Sequence, residues 1–289
     1  MAYRERVRFR PACAEDATAI AALHADSWRR HYRGAYSDAF LDGDVVIDRE
    51  TVWTERRTSN PMVAGSNPAG GVGIRLLGVI QSLLAIVGDM LLLITGASGV
   101  GKSTIRTIVA PELSPRVECV ELLDLTPAPD AMTLAWRQRT AEVAVRRAVE
   151  LQDAGRHLLL AGDPVPAAEV VAAPSAAELD AIAVCLLDAS AEAQAQRLVE
   201  RGDDPALLIY HQAFAEWMRR QAADPLYMTH VVSDGGWEGM RWERLEQVAA
   251  DWSMHTIDTS DMTKREVADA VLDWCRRAFL DPTLRVRDI

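Results

Sequence analysis

The stretch Met90–Ile105, MLLLITGASGVGKSTI, decides the fold prediction for this chain. It opens with an unbroken apolar run, which predicts a strand over Leu91–Thr95 that is buried on both faces, as strands of parallel sheets are. A glycine-rich turn follows, and the residues after Lys102 are compatible with a helix. The stretch therefore predicts a strand, a tight turn and a helix in immediate succession.

The turn itself, Gly96–Ser103, fits the pattern G-x-x-x-x-G-K-[S/T] at every position. Glycines let backbone N–H groups approach phosphate oxygens, and the N-terminus of the helix adds its positive dipole. Lys102 can reach the β- and γ-phosphates, and the Ser103 hydroxyl can bind Mg²⁺. The alternative is a chance glycine turn, but the flanking strand and helix favour ATP binding. The predicted ATP contacts are Gly96, Ala97, Ser98, Gly99, Val100, Gly101, Lys102, Ser103 and Thr104.

Residues 90–289 alternate short apolar runs with segments of helical periodicity, which indicates an α/β fold with a parallel sheet covered on both faces. The patterns Ser175-x-x-Glu178 and Thr263-x-x-Glu266 predict capping boxes at the starts of two helices. The predicted strands are Leu91–Thr95, Val117–Leu122, His157–Ala161, Ile182–Leu187 and His255–Ile257.

Composition limits the choice of partners and compartment. The chain has 289 residues, which is enough for two domains. Its content of 49% hydrophobic and 25% charged residues argues against global disorder. A net charge of -11 disfavours nucleic acid as a partner. The four cysteines form no CxxC pair, and the N-terminal segment has no signal-peptide core, so a cytoplasmic location is expected.

One apolar segment requires a membrane check. The segment is Gly73–Val87, GIRLLGVIQSLLAIV. Arg75 and Gln81 interrupt it, and Asp89 follows it. The uninterrupted part is shorter than the roughly 20 residues that a membrane-spanning helix needs. The sequence therefore predicts no membrane partner.

Because of the motif at Gly96–Ser103, residues about 90–280 resemble the P-loop small-molecule kinases. This group includes gluconate, shikimate and adenylylsulfate kinases. The resemblance implies a nucleotide-kinase-like P-loop NTPase fold, with a three-layer parallel sheet and a helical lid insert, and it implies ATP, Mg²⁺ and a small-molecule substrate. By this resemblance Asp124, in VECVELLDL, accepts the proton of the substrate hydroxyl. Asp163, in HLLLAGDPV, helps Ser103 to hold Mg²⁺, and Arg201, like Arg197, contacts the transferring phosphates from the lid.

Each of these assignments has a structural alternative. Asp124 could also lie at a solvated strand end or cap a helix. Asp163, which precedes Pro164, could also shape a turn. Arg201 could also interact with the dipole at a helix C-terminus. The lid insert, residues 204–245, is rich in tryptophan. Two interpretations are open: these side chains line a substrate pocket, or they form the core of a helical lid. Two further arginines of the insert are interpreted as an exposed helix face. They are Arg219 and Arg220.

The leading residues, from about 6 to 58, resemble the opening of GNAT-type acetyltransferases. The likeness rests on Val7–Pro11, Glu15–Asp16 and the Trp28, Tyr32 and Gly34 positions. The later strands and the acetyl-CoA loop of that family are missing from the sequence, so we expect a truncated α+β fragment at 1–58 without acetyltransferase activity. The Pro- and Gly-rich residues 59–89 are predicted to form an irregular junction, and 90–289 the ATP-binding domain.

The sequence thus predicts an ATP- and Mg²⁺-dependent kinase that phosphorylates a small-molecule hydroxyl. A nucleotide-dependent regulatory ATPase or switch, without a small-molecule acceptor, is the main alternative. A bifunctional acetyltransferase–kinase is disfavoured by the missing acetyl-CoA loop. The identity of the acceptor and the oligomeric state stay open.

Overall fold

The computed structural model describes residues 90–129, 133–162 and 164–286, and all structural statements below refer to these residues. The predicted acetyltransferase-like fragment, 1–58, and the predicted junction, 59–89, lie outside the described residues. Asp163 also lies outside them. The boundary at residue 90 therefore stays a prediction.

The fold is α/β, with five parallel strands in the order β2-β3-β1-β4-β5. In the central strand, Leu92 pairs with Leu159 on one side and with Ala183 on the other. All five predicted strands are confirmed, with ends that shift by one or two residues. They are β1 Met90–Thr95, β2 Val117–Val120, β3 His157–Leu160, β4 Ala181–Asp188 and β5 His255–Asp258.

Helices cover both faces of the sheet. In chain order they are α1 Lys102–Leu113, α2 Leu122–Leu125, α3 Leu134–Gln152, α4 Ala167–Val171, α5 Ala191–Arg201, α6 Leu208–Ala223, α7 His230–Ser233, α8 Arg244–Val248 and α9 Lys264–Leu280. Within the described ranges, no helix combines the length and the apolar character that crossing a membrane would require.

The side chains of β1 alternate between two hydrophobic cores. Leu91 and Leu93 pack with α3, α4 and α8 on one face, whereas Leu92 and Ile94 pack with α1 and α9 on the other. A strand that is apolar at every position is the expected sequence for this double burial. The result is a three-layer arrangement with β1 at its centre.

The lid insert forms a third hydrophobic cluster at the carboxyl edge of the sheet. Tyr210, Phe214 and Trp217 of α6 share a buried cluster with Val232 of α7 and with Ala97 of the glycine-rich turn. Trp217 is only 2% exposed and stacks on Phe214, with ring centroids 5.6 Å apart. Of the two interpretations of the insert, Trp217 therefore fits a hydrophobic core.

One of the two predicted capping boxes is confirmed. Thr263 and Glu266 cap each other at the start of α9. The box predicted at Ser175 is wrong, because residues 174–178 form a short 3-10 turn whose N-cap is Ala173. The Ser175 hydroxyl donates instead to Glu142 on α3, at 2.7 Å. A carboxylate from a neighbouring helix has replaced the local partner that the pattern suggested.

His157, the first residue of β3, makes the stability of the domain dependent on pH. Its Nδ1 accepts a hydrogen bond from the Met90 N–H at 3.2 Å, and the residue is 3% exposed. Burial, reinforced by Arg116 and Arg285, lowers the His157 pKa from 6.5 to about 4. The folded state therefore binds fewer protons than the unfolded state between these values, and stability is lost as the pH falls from 6.5 towards 4.

We expect this loss to be about 2–3 kcal/mol in the free energy of unfolding. Urea unfolding at pH 7 and pH 4.5 measures it in the wild type and in His157→Gln, which cannot titrate. The difference between the two pH values should shrink in the variant by most of that amount. An equal pH dependence in both proteins would contradict the assignment to His157.

Candidate phosphate-binding site

The glycine-rich turn, residues 96–101, connects β1 to α1 at the carboxyl edge of the sheet. Gly96, Gly99 and Gly101 have φ angles of +143°, +86° and +99°. At Gly96 a Cβ atom would overlap the carbonyl oxygen of Leu187 on the neighbouring strand. The path of the turn therefore depends on a glycine at its first position.

Lys102 is the first residue of α1 and is buried, with 5% of its surface exposed. Its Nζ donates to the carbonyl oxygen of Ala97 at 2.8 Å, so the ammonium group reaches from the end of the turn back to its beginning. Ser103 and Thr104 follow on the first turn of the helix and are exposed. The predicted lysine and hydroxyl thus lie together at the N-terminus of α1.

Helices α5 and α6 contact the glycine-rich turn on one side. The buried Gln194 on α5 donates from Nε2 to the carbonyl oxygens of Ser98, at 2.8 Å, and His211, at 3.3 Å. Leu198, one turn further along α5, lies so close to Gly99 that a Cβ atom there would be 3.0 Å from its Cγ. One amide and one leucine thus fix the backbone of the turn against the two helices.

Arg201, at the end of α5, lies on this same side of the turn. Its guanidinium donates to both carboxylate oxygens of Asp203, at 2.7 and 2.5 Å, and its side chain is 55% exposed. This pairing raises the pKa of Arg201 and lowers that of Asp203. The predicted lid arginine therefore pairs locally at a helix C-terminus, which is the structural alternative.

Arg197 and Arg219 also bind protein groups. Arg197 donates from Nη1 to the Thr259 hydroxyl at 2.8 Å and from Nη2 to the Thr259 carbonyl, which ties α5 to the segment after β5. The interpretation of Arg219 as an exposed residue is wrong. Its Nε donates to Asp188 at the end of β4, at 2.7 Å, because α6 packs over that strand end.

Two carboxylates follow β2 on the opposite side of the turn. The N–H of Glu121 donates to Asp124 Oδ2 at 2.9 Å, and the two side chains form a capping box at the start of α2. Asp124 thus has the helix-cap role that was the alternative to its predicted role as a base. The base role itself stays a prediction.

Glu121 is a candidate that the sequence did not single out. Arg106, one turn after Lys102 on α1, donates from Nε to Glu121 Oε1 at 3.0 Å, and its Nη1 lies 3.5 Å from Asp124 Oδ2. The Glu121 carboxyl group rests against the backbone after β3, since a Cβ atom on Gly162 would be 2.7 Å from its Cδ. Glu121 therefore lies deeper in the carboxyl edge than Asp124, with side-chain exposures of 22% and 51%.

Among the residues with a described position, no group of three or more His, Cys, Asp or Glu side chains could hold a metal ion. This arrangement is compatible with Mg²⁺ that arrives on nucleotide phosphates, because such an ion needs only one or two protein ligands. Ser103 is suitably placed on the first turn of α1. Its predicted partner Asp163 lies in a gap of the described ranges.

Comparison of the sequence with protein-family models and with curated proteins found no match. Function therefore has to be inferred from the turn and from the side chains around it.

Proposed function

We propose that this protein binds ATP with Mg²⁺ on the turn Gly96–Ser103. The observation that carries the proposal is a complete G-x-x-x-x-G-K-S motif on the β1–α1 turn, with the Lys102 ammonium folded back onto the Ala97 carbonyl. The turn ends the central strand at the carboxyl edge, where parallel α/β sheets bind ligands. The N-terminus of α1 adds a favourable dipole for phosphate.

We further propose that the fold belongs to the nucleotide-kinase-like P-loop NTPases. Two features support this proposal. The central strand β1 lies between β3 and β4 in an all-parallel sheet, and the helices α6 and α7 of the lid insert pack against Ala97 of the turn. A lid that packs against the phosphate-binding turn can exclude water from a reacting phosphate.

The proposed reaction is transfer of the γ-phosphoryl group of ATP to a hydroxyl group of a small molecule. Lys102 would exchange the Ala97 carbonyl for β- and γ-phosphate oxygens, and Arg201 would leave Asp203 for the transferring group. The acceptor oxygen attacks phosphorus, ADP leaves, and a carboxylate after β2 takes the hydroxyl proton. Ser103 and Asp163 would hold Mg²⁺, whose charge would offset that of the phosphates, and positioning by the protein would supply most of the catalysis.

A regulatory ATPase is the second candidate, and one observation favours it. Both carboxylates after β2 already interact with Arg106, and Asp124 also caps α2. Both carboxylates therefore already have structural partners. A protein without a small-molecule acceptor would need no base at this position.

The two candidates are separated by measuring ADP release from Mg²⁺–ATP with pools of hydroxyl-bearing metabolites. A kinase releases ADP only when one pool is present, and a phosphorylated product appears. A regulatory ATPase releases ADP without any pool, and added protein partners change its rate. If the full chain shows no binding of Mg²⁺–ATP in a calorimetric titration, both candidates are wrong.

The carboxylate that accepts the proton is expected to be Glu121. We choose Glu121 because its side chain is less exposed than that of Asp124, at 22% against 51%, and because its carboxyl group lies against the backbone after β3. We expect Glu121→Gln to lower the rate of transfer about 100-fold with little change in ATP affinity, because a base acts on the acceptor.

Asp124→Asn is the matched variant, because it also neutralises one carboxylate beside Arg106. It should weaken the cap of α2, with a cost of about 1 kcal/mol in stability, and leave the transfer rate within a few-fold of the wild type. Single-turnover rates and urea unfolding of both variants provide the comparison. The reverse pattern would assign the base role to Asp124.

A further inference from the structure

His211 is coupled to the phosphate-binding turn through its backbone. It lies in the first turn of α6, and its carbonyl oxygen accepts from Gln194 Nε2 at 3.3 Å. The same amide nitrogen donates to the Ser98 carbonyl of the turn at 2.8 Å. Gln194 is 1% exposed, so a single buried amide links the backbone of His211 to the turn.

The imidazole of His211 lies among charged groups of both signs. Its Nε2 is 3.7 Å from Oδ2 of Asp203, and the same carboxylate binds Arg201. The positive charges of Arg201 and Lys102 also act on the ring.

Without a ligand, this setting favours the neutral ring. Burial is the main cause of a lowered His211 pKa; Asp203 acts in the opposite direction, and Arg201 and Lys102 lower the pKa further. Two cations therefore face one histidine and one carboxylate. A polyphosphate on the turn would add several negative charges beside the ring, in a partly buried setting where charges interact strongly.

We propose that His211 takes up a proton from solvent when the phosphates of a nucleotide bind to the turn, and then acts as a third cation beside Lys102 and Arg201. The proposal rests on the proposed binding of ATP. It adds a phosphate-contacting residue that no sequence motif marks. It also makes nucleotide affinity depend on pH, while Asp203 stays ionised throughout.

The direction of the pH dependence follows from linkage. Bound phosphate raises the pKa of His211 above its lowered value in the free protein, so binding takes up protons between the two values. Affinity is therefore highest at acid pH and falls as the pH rises through this window. We expect the dissociation constant of Mg²⁺–ATP to increase about tenfold from pH 6 to pH 8.

The test is a calorimetric titration of the full chain with ATP at saturating Mg²⁺ and pH 7, in two buffers that differ in ionisation enthalpy. The difference in heat gives the number of protons taken up, which should be a large fraction of one in the wild type. His211→Gln should bind ATP without proton uptake and with nearly constant affinity from pH 6 to pH 8. His255→Gln is the matched control, because His255 lies on the edge strand β5, two strands away from β1, and its Nε2 is 3.3 Å from Arg277 of α9.

Each outcome bears on a distinct proposal. Binding without proton uptake, or uptake that persists in His211→Gln, overturns the role of His211 and leaves ATP binding intact. A wild-type protein that does not bind Mg²⁺–ATP overturns both. If His211→Gln does not fold, ¹⁵N spectra of the histidine rings in the wild type decide: one ring must change to the imidazolium pattern when Mg²⁺–ATP is added at pH 7, and unchanged spectra refute the proposal.

Discussion

Replacing Lys102 by alanine should weaken the binding of Mg²⁺–ATP about 100-fold or more and abolish measurable turnover. The buried ammonium group now interacts with the Ala97 carbonyl, and phosphate oxygens would take the place of that carbonyl. A charge-assisted contact in a buried site contributes more than a neutral hydrogen bond, and here it would also stabilise charge in the transition state. Calorimetric titration with Mg²⁺–ATP and an ADP-release assay measure the two effects.

The chain provides its own control for this variant. Lysine occurs at only two positions, and Lys264 is the exposed first residue of α9. Lys264→Ala removes the same charge from the same position of a helix, but far from the turn in sequence and without a buried contact. It should bind Mg²⁺–ATP like the wild type. Equal affinities of Lys102→Ala and the wild type would contradict phosphate binding at this turn.

Replacing Gly96 by alanine should have an effect of similar size on binding and a large effect on folding. The new methyl group would overlap the Leu187 carbonyl and lie 3.0 Å from Val100 Cγ2, at a φ of +143°. Because the Leu187 oxygen belongs to the backbone of β4, it cannot move aside without disturbing the sheet. We expect a loss of about 3 kcal/mol or more in the free energy of unfolding, and ATP affinity reduced about 100-fold.

Gly155→Ala separates the steric conflict from the strain of a positive φ. Gly155 follows α3 with a φ of +66°, and a Cβ atom there meets no atom within 4 Å. This variant should lose only about 1 kcal/mol and keep full affinity for Mg²⁺–ATP. Urea unfolding and calorimetric titration of both variants give the comparison. Similar stability losses at Gly96 and Gly155 would show that the conflict with Leu187 is relieved easily.

The strands could be predicted because each is a run of residues that are apolar at nearly every position. A strand between two helical layers must be apolar on both faces, and this requirement is visible locally in the sequence. The largest error in a strand end arose at β2. That strand ends at Val120, because Glu121 and Asp124 form a capping box and α2 begins at Leu122, two residues after the strand end.

Two other errors occurred where a distant segment supplies the partner. Ser175 bonds to Glu142 on another helix, and Arg219 bonds to Asp188 at the end of a strand. A sequence pattern shows which residues share a helix face, but it does not show which element packs on that face.

The sequence by itself determined the β1–turn–α1 unit and its proposed phosphate chemistry, because every group involved lies within a few residues of Gly96. Only the tertiary structure decided which other side chains surround the turn. Gln194 reaches Ser98 from 96 positions along the chain, and it brings His211 with it. Glu121 meets Arg106 of α1 and the backbone at Gly162 only because β2 and β3 are neighbours in the sheet and α1 packs beside them. Strand order and helix packing set these distances, and they depend on burial across the whole core.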